Sequence, residues 1–251
     1  MASSRVELSP GVSTLIRVVD GLSLSLKEGE AISILHDPGM LVIDNYPWPV
    51  DLRSLQKFQE KRRRKFDDAF SVSASQEAGE ARRIFSDEID RIFEMLYGHY
   101  YRPIEKRNSY RPGVTEGEPM HFDSQYLEGT IFITSYFNFS VRPRKYAVSH
   151  TFPWLVQSRP KATRKSAGLS LDPRSSMVNI RAAALRGDPP LGKGVPRHRV
   201  WFASGSIWFF NPKMISHQVL FGDGALGHSW TVRESNPDLL PEHYLAMLEG
   251  K

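Results

Sequence analysis

The sequence predicts a mainly β chain with flanking helices: a β-sandwich or barrel core buttressed from outside. Three observations carry this. Seven short candidate strands fall between residues 108 and 233, at 108–111, 120–123, 130–140, 200–203, 206–211, 217–221 and 228–233. The longest of them carries Ile131, Phe132, Ile133, Tyr136, Phe137 and Phe139, so both of its faces read as buried. A stretch over 79–99 repeats Phe85, Ile89, Ile92, Phe93 and Leu96 at helical spacing, which gives one apolar stripe to lay on a sheet.

In chain order, short β-like runs over 13–19, 31–35 and 40–43 come first. The turn signals His36-Asp37-Pro38-Gly39 and Tyr46-Pro47-Trp48-Pro49 bound the last of them. Residues 51–68 are rich in helix formers and strongly charged, and predict a helix ahead of the scaffold helix. Arg142, Arg144 and Lys145 form a basic knot after the long strand, and residues 159–165 form a basic loop. A helix is expected near 175–185, a Pro- and Gly-rich loop over 186–199, and a last helix over 238–248. Trp154, Trp201, Trp208 and Trp230 read as core residues. No composition shift marks a linker. The expectation is one domain over 1–251: N-terminal strands and scaffold helices to 105, a β core over 106–235 with an insert near 159–199, and a C-terminal helix over 236–251.

Composition narrows the function. Of 251 residues, 40% are hydrophobic and 24% charged, a balance that excludes a disordered chain. There is no cysteine, which excludes a disulfide scaffold and any thiolate-held zinc or iron–sulfur site. A metal here must use histidine and carboxylate, and eight histidines are present. The formal charge of +5 is a mild pull toward anionic partners. No apolar run has the length of a membrane span, and residues 1–10 lack a signal-peptide pattern, so the expected location is the cytoplasm.

The chemically loaded pattern is Met120-His121-Phe122-Asp123. In an extended strand, residues i and i+2 point to one side, so His121 and Asp123 converge. A third ligand is offered by His217, 96 residues further on, at the start of a strand. Two histidines and one carboxylate fill one face of an octahedron and leave three positions open, as in non-haem Fe(II) oxygenases. The context agrees. Ala203-Ser204-Gly205-Ser206 reads as a hairpin turn, Ile207-Trp208-Phe209-Phe210 as a buried strand, and a short connection then reaches Ser216-His217.

Those segments resemble the Fe(II)/2-oxoglutarate dioxygenase superfamily and its His-x-Asp…His signature. Within it the chain looks most like the Kdo hydroxylase family, which hydroxylates the Kdo sugar of lipid A. The resemblance rests on Arg107-Asn108-Ser109-Tyr110-Arg111, His121-Phe122-Asp123-Ser124, the strand from Ile131 to Asn138, Gly205-Ser206-Ile207-Trp208, Ser216-His217-Gln218 and Ala225-Leu226-Gly227-His228-Ser229-Trp230. It covers roughly residues 100–250. It implies a double-stranded β-helix (jelly-roll, cupin-like) core. It also implies Fe(II) on His121, Asp123 and His217, with 2-oxoglutarate and O2 as cosubstrates and succinate and CO2 as products. The expected outcome is hydroxylation of an unactivated C–H bond. Asp123 argues against halogenation, which needs a small residue in its place.

The 5-carboxylate of 2-oxoglutarate calls for a buried cation, and arginine suits it by its planar fork. Eleven residues after His217 the chain has His228 rather than arginine, a departure from the family's pattern, while Arg233 stands sixteen after. Alternation puts Ser229, Thr231 and Arg233 on one face. Arg233 is the first expectation for the anchor, with Ser229 beside it. Arg111 with Ser109 is the competitor, and His228 is a possible accessory donor. Asn138 is a polar residue in an apolar strand, suited to holding backbone groups or the cosubstrate. His150 and His198 flank the insert and read as loop or surface residues within reach of a substrate. The expected substrate is a small molecule or glycan of anionic character, a Kdo-type sugar or a natural-product or amino-acid intermediate, with no nucleic acid. Two alternatives remain: a non-catalytic β-helix module binding a polyanion through its basic loops, and a cupin-type metal enzyme that uses no oxoglutarate.

Overall fold

The computed structural model describes residues 7–8, 15–24, 26, 29–36, 39–56, 76–114, 119–168, 172–188 and 197–249; for 7–8, 36, 76–78 and 110–114 it describes the backbone alone. Among the described residues the strands are β1 (Glu7–Leu8), β2 (Ile16–Asp20), β3 (Met40–Asp44), β4 (Pro103–Val114), β5 (Thr130–Phe137), β6 (Arg144–Thr151), β7 (His198–Phe202), β8 (Ile207–Phe210) and β9 (Ile215–Arg233). The α-helices among the described residues are α1 (Glu30–His36), α2 (Gln76–Tyr97), α3 (Phe152–Ser158), α4 (Pro160–Ala167), α5 (Pro173–Leu185) and α6 (Pro241–Leu248).

One strand organises the rest. The first part of β9 pairs with β6, and its later part pairs with β4 and β5. The path β1-β7-β6-β9-β5-β8-β3-β2 thus folds over into two facing sheets, all antiparallel except β2–β3. This is the expected jelly-roll half-barrel with flanking helices. Predicted strands 217–221 and 228–233 are two parts of the single strand β9, because the chain changes sheets without a turn.

Alternation sorts the side chains. Ile131, Ile133, Phe137, Ile207, Phe209, Trp230 and Val232 face outward onto α2, whose Phe85, Ile89, Ile92, Phe93 and Leu96 form the predicted stripe. Phe93 stacks on Trp230 at 4.3 Å and 14°. The other face looks into the barrel: Met40, Val42, Trp208 and Phe210 from one sheet, Tyr146, Val148, Val200 and Phe202 from the other. A third cluster joins Phe122, Phe152 and Met214 to α3–α6, closing the helical side. Among the described residues no helix is long and apolar enough to cross a membrane.

Several local expectations change. Residues 31–35 are helical, not extended: Ala31, Ile32 and Leu35 are buried at helical spacing and Ser33 faces out. The basic loop 159–165 is largely helix α4, opened by Pro160, ended at Gly168 (φ 100°), and seated on buried Thr163 and Ala167. Of the basic knot after β5, Arg144 and Lys145 begin strand β6 and Arg142 precedes it. Trp154 is 40% exposed, so it leaves the core. Of the helix over 51–68, residues 53–56 are helical and the remainder lies outside the described residues, as does the basic run 61–65.

Candidate metal centre

His121 stands on no extended strand. A single antiparallel bridge joins it to His217, through His217 N–H to the His121 carbonyl (2.9 Å) and the reverse bond (3.1 Å). The Asp123 N–H donates to the Pro212 carbonyl at 2.9 Å. These three bonds replace the predicted 120–123 strand and still converge the side chains. His121 Nε2 lies 3.6 Å and His217 Nε2 3.9 Å from Asp123 Oδ1. One ligand atom from each of the three falls within 4.8 Å of the others.

Each imidazole is oriented from behind. His121 Nδ1 meets the Pro119 carbonyl at 2.6 Å and His217 Nδ1 the Ile215 carbonyl at 3.2 Å. A carbonyl accepts only from Nδ1–H, so Nε2 is the nitrogen turned toward the shared point. That is the outer arrangement metal-bound histidines take. Phe210 presses edge-on against the His217 ring at 5.2 Å. Burial alone would raise the Asp123 carboxyl, but the His121 ring and the charges of His217 and Arg181 outweigh it and hold the group below its usual range. The donor set, two imidazoles and a carboxylate, fits a divalent first-row ion such as iron.

No family model and no curated protein matches the sequence. Solved structures do. The fold is similar to that of a Kdo hydroxylase. The structure of KdoO, described as a non-heme Fe(II) α-ketoglutarate-dependent dioxygenase, in complex with succinate and Fe(III) has a TM-score of 0.69 at 16% identity, covering 94% of this chain and 96% of that one. Its α-ketoglutarate and Fe(III) complex gives 0.69 at 14% identity, and its cobalt(II) complex 0.68 at 14%, with the same coverage. The Kdo hydroxylase likeness is one of fold. It runs through most of the first hundred residues, beyond the stretch in which the sequence resemblance lay.

Around the cluster, the predicted residues divide by face. Ser229 points into the barrel, 3.2 Å from Thr134 Oγ1, with buried Thr231 on the same face. Ser109 lies opposite Gly227, its hydroxyl 3.5 Å from the Gly227 carbonyl. Arg233 continues the face of Ser229 at the end of β9, paired with Thr130 and exposed, with Nη1 donating to the Glu128 carbonyl at 3.3 Å. His228 faces the other way. Its ring stacks by Trp230 (5.9 Å), and burial plus the charges of Lys106 and Arg82 push its pKa down to about 3. Alternation between Ser229 and Trp230 forces this, so His228 is withdrawn as an accessory donor. Asn138 is a corner brace: Nδ2 donates to the carbonyls of Arg142, Phe202 and Ala203 at 3.0–3.1 Å, and Oδ1 accepts from Ser140 N–H. That is the backbone-holding role of the two read for it. Arg111 pairs with Ala225, and its side chain lies outside the described residues.

His150 is buried on β6, not on a loop. Its Nδ1 meets Ser149 Oγ at 3.0 Å, and burial and Arg159 push its pKa down to about 4. His198 opens β7, half-buried, opposite Val148. Two cations outside the expected ligand and anchor residues are buried. Lys213, on the connection into His217, is 1% exposed, with Nζ 4.3 Å from the Phe132 ring centre. Arg144 on β6 is 2% exposed. Nothing in Asn211-Pro212-Lys213 marks the lysine beforehand. For Arg144 a signal existed: Arg144, Tyr146 and Val148 alternate with Lys145, Ala147 and Ser149 as a strand does.

Proposed function

We propose that this chain is a single-domain Fe(II)/2-oxoglutarate-dependent oxygenase that hydroxylates an unactivated C–H bond of a small anionic substrate. The observation that carries the reading is the cluster of His121, Asp123 and His217, with both imidazoles turned by backbone carbonyls so that Nε2 faces Asp123. A polyanion-binding module has no use for such an arrangement. The Kdo hydroxylase fold over most of the chain supports the same reading.

His121, Asp123 and His217 would hold the iron. When bound, iron with 2-oxoglutarate and O2 supplies the oxidative chemistry and releases succinate and CO2. The chain's own part is to orient and to keep the site dry. Phe210 fixes His217 from the barrel side. Phe122, between the two N-terminal ligands, packs edge-on against Phe152 at 5.5 Å and ties that segment to the helical cluster. Arg181 and Lys213 both act on Asp123 through their charge, so the surroundings of the cluster are positive. An acidic substrate, such as a Kdo-type sugar acid or a carboxylated biosynthetic intermediate, fits that field.

The test is direct. Iron-loaded protein under anaerobic conditions is expected to develop a weak visible absorption band on addition of 2-oxoglutarate, and to release succinate once oxygen is admitted. His121→Ala and His217→Ala should lower metal affinity and succinate formation by at least about 100-fold. Full succinate release by either variant would remove that residue from the ligand set.

A further inference from the structure

Resting on the oxygenase reading, we propose that Arg144, with the indole N–H of Trp208, holds the distal carboxylate of 2-oxoglutarate from inside the barrel. The anchor then lies on β6, in the sheet opposite the strand end that carries Arg233.

Four observations converge. First, Arg144 faces inward. It pairs with Phe202, and Phe202 stacks on Trp208 inside the barrel at 3.9 Å and 8°. Second, two of its guanidinium nitrogens, Nε and Nη1, are sealed from solvent and have no hydrogen-bond partner among the described residues. Asp223, next to Gly222, lies 3.7 Å from Arg142 Nε and 3.3 Å from Ser140 Oγ. A guanidinium does not shed its proton, so a buried one without an anion is expensive to keep.

Third, a second orphan donor lies close by. Trp208 Nε1 is also buried with no partner among the described residues. The Trp208 ring lies 5.4 Å from that of Tyr146, and the Arg144 guanidinium carbon 5.8 Å from it. Donors without acceptors, gathered round one ring, describe a place for an acceptor-only ligand such as a carboxylate. Fourth, the backbone makes room. A Cβ on Gly222 would lie 2.7 Å from Arg144 Cγ and 2.8 Å from Nη1.

The position suits a ligand reaching from the metal cluster. Val148 pairs with His217, and Arg144 lies four residues along the same strand, about 13 Å away. Tyr146 is the inward residue between them. An extended arginine and an extended five-carbon diacid together cover that interval.

Calorimetric titration of the cobalt(II)-loaded full chain with 2-oxoglutarate and with oxalate tests the proposal. Oxalate chelates a metal but has no distal carboxylate arm. Arg144→Ala is expected to weaken 2-oxoglutarate binding about 100-fold while oxalate binding stays within about twofold. Arg144→Lys should recover part of the loss, and Arg233→Ala should bind both ligands as wild type does. Unchanged 2-oxoglutarate affinity in Arg144→Ala, or an equal loss of both ligands, overturns the proposal; so does a loss confined to Arg233→Ala. Should the alanine variant not fold, Arg144→Met fills the same space and carries the same test. If the wild-type protein binds cobalt and oxalate but not 2-oxoglutarate, the oxygenase reading itself fails, a result distinct from failure of the anchor.

Discussion

Arg144 and Lys213 are both buried cations inside the same fold, and they live under different rules. Lys213 lies against Phe132, toward the start of β5, where Asp123 and Glu242 both act on its ammonium. Arg144 lies beyond Tyr146, which faces Tyr136 across the barrel at 6.4 Å, and its two buried nitrogens have no acceptor among the described residues. The Lys213 Nζ is also without a hydrogen-bond partner there, but it has a way out that Arg144 lacks. It can lose its proton: burial pushes its pKa down to about 8, against the opposing pull of Glu242 and Asp123. Arginine has no such release. Burial with no release is what marks Arg144 as a group kept for a ligand.

The widest gap between the two should appear in protein without ligand. Replacing an uncompensated buried charge by an apolar side chain of similar length removes a desolvation cost, so Arg144→Met should stabilise the unliganded fold by roughly 1–4 kcal/mol. The gain should come with loss of response. At a hundred times its dissociation constant, 2-oxoglutarate should stabilise the metal-loaded wild type by about 2.7 kcal/mol and a variant that binds about 100-fold more weakly by only about 0.4 kcal/mol at the same concentration. Denaturant melts with and without ligand measure both. An unliganded Arg144→Met protein less stable than wild type would mean that the guanidinium already has its partner in the fold.

For Lys213 the expectation is a dependence on pH. The unfolded lysine titrates near 10.5 and the folded one near 8, so between these values the unfolded chain binds more protons. Stability of the metal-free protein should therefore rise from pH 8 to 10.5, by at most about 3 kcal/mol, and lie on its lower plateau below pH 8. Lys213→Met should flatten that rise, and Arg144→Met should leave it intact. A rise that persists in Lys213→Met would assign it to another group and erase the distinction drawn between the two cations.

The same contrast explains what could be read in advance. β5, β8 and α2 were legible because their apolar residues repeat at the period of the element that buries them. His121, Asp123 and His217 were legible because residue type and spacing carry the chemistry. The strand at Arg144 was not, since an arginine at an inward position looks like a surface residue to any reading that keeps charge outside. α4 failed in the same way: four cations over 159–165 read as a loop although Thr163 and Ala167 sit one turn apart on its buried side. His228 was misplaced by counting from His217, because β9 bends from one sheet into the other and only its pairing decides which face a residue takes. Charge outside the core is a rule about cost, and a binding site is where that cost is borne.

The smallest effect should come from Gly222, which faces Arg144 across the pairing of β6 with β9. The atoms an added methyl would meet belong to a long side chain that can shift, so Gly222→Ala should displace the guanidinium without unfolding the protein. Binding of 2-oxoglutarate should weaken by about five- to tenfold, and oxalate binding should not change. In wild type the crowding offsets what alanine gains over glycine in a strand. In an Arg144→Ala background the crowding is gone, and Gly222→Ala should be neutral or stabilising by about 0.5–1 kcal/mol. The double-mutant cycle therefore reads the coupling between the glycine and the arginine. If Gly222→Ala costs the same stability whether or not Arg144 is present, the glycine serves the bend of β9 rather than the arginine, and the room it makes is incidental to the anchor.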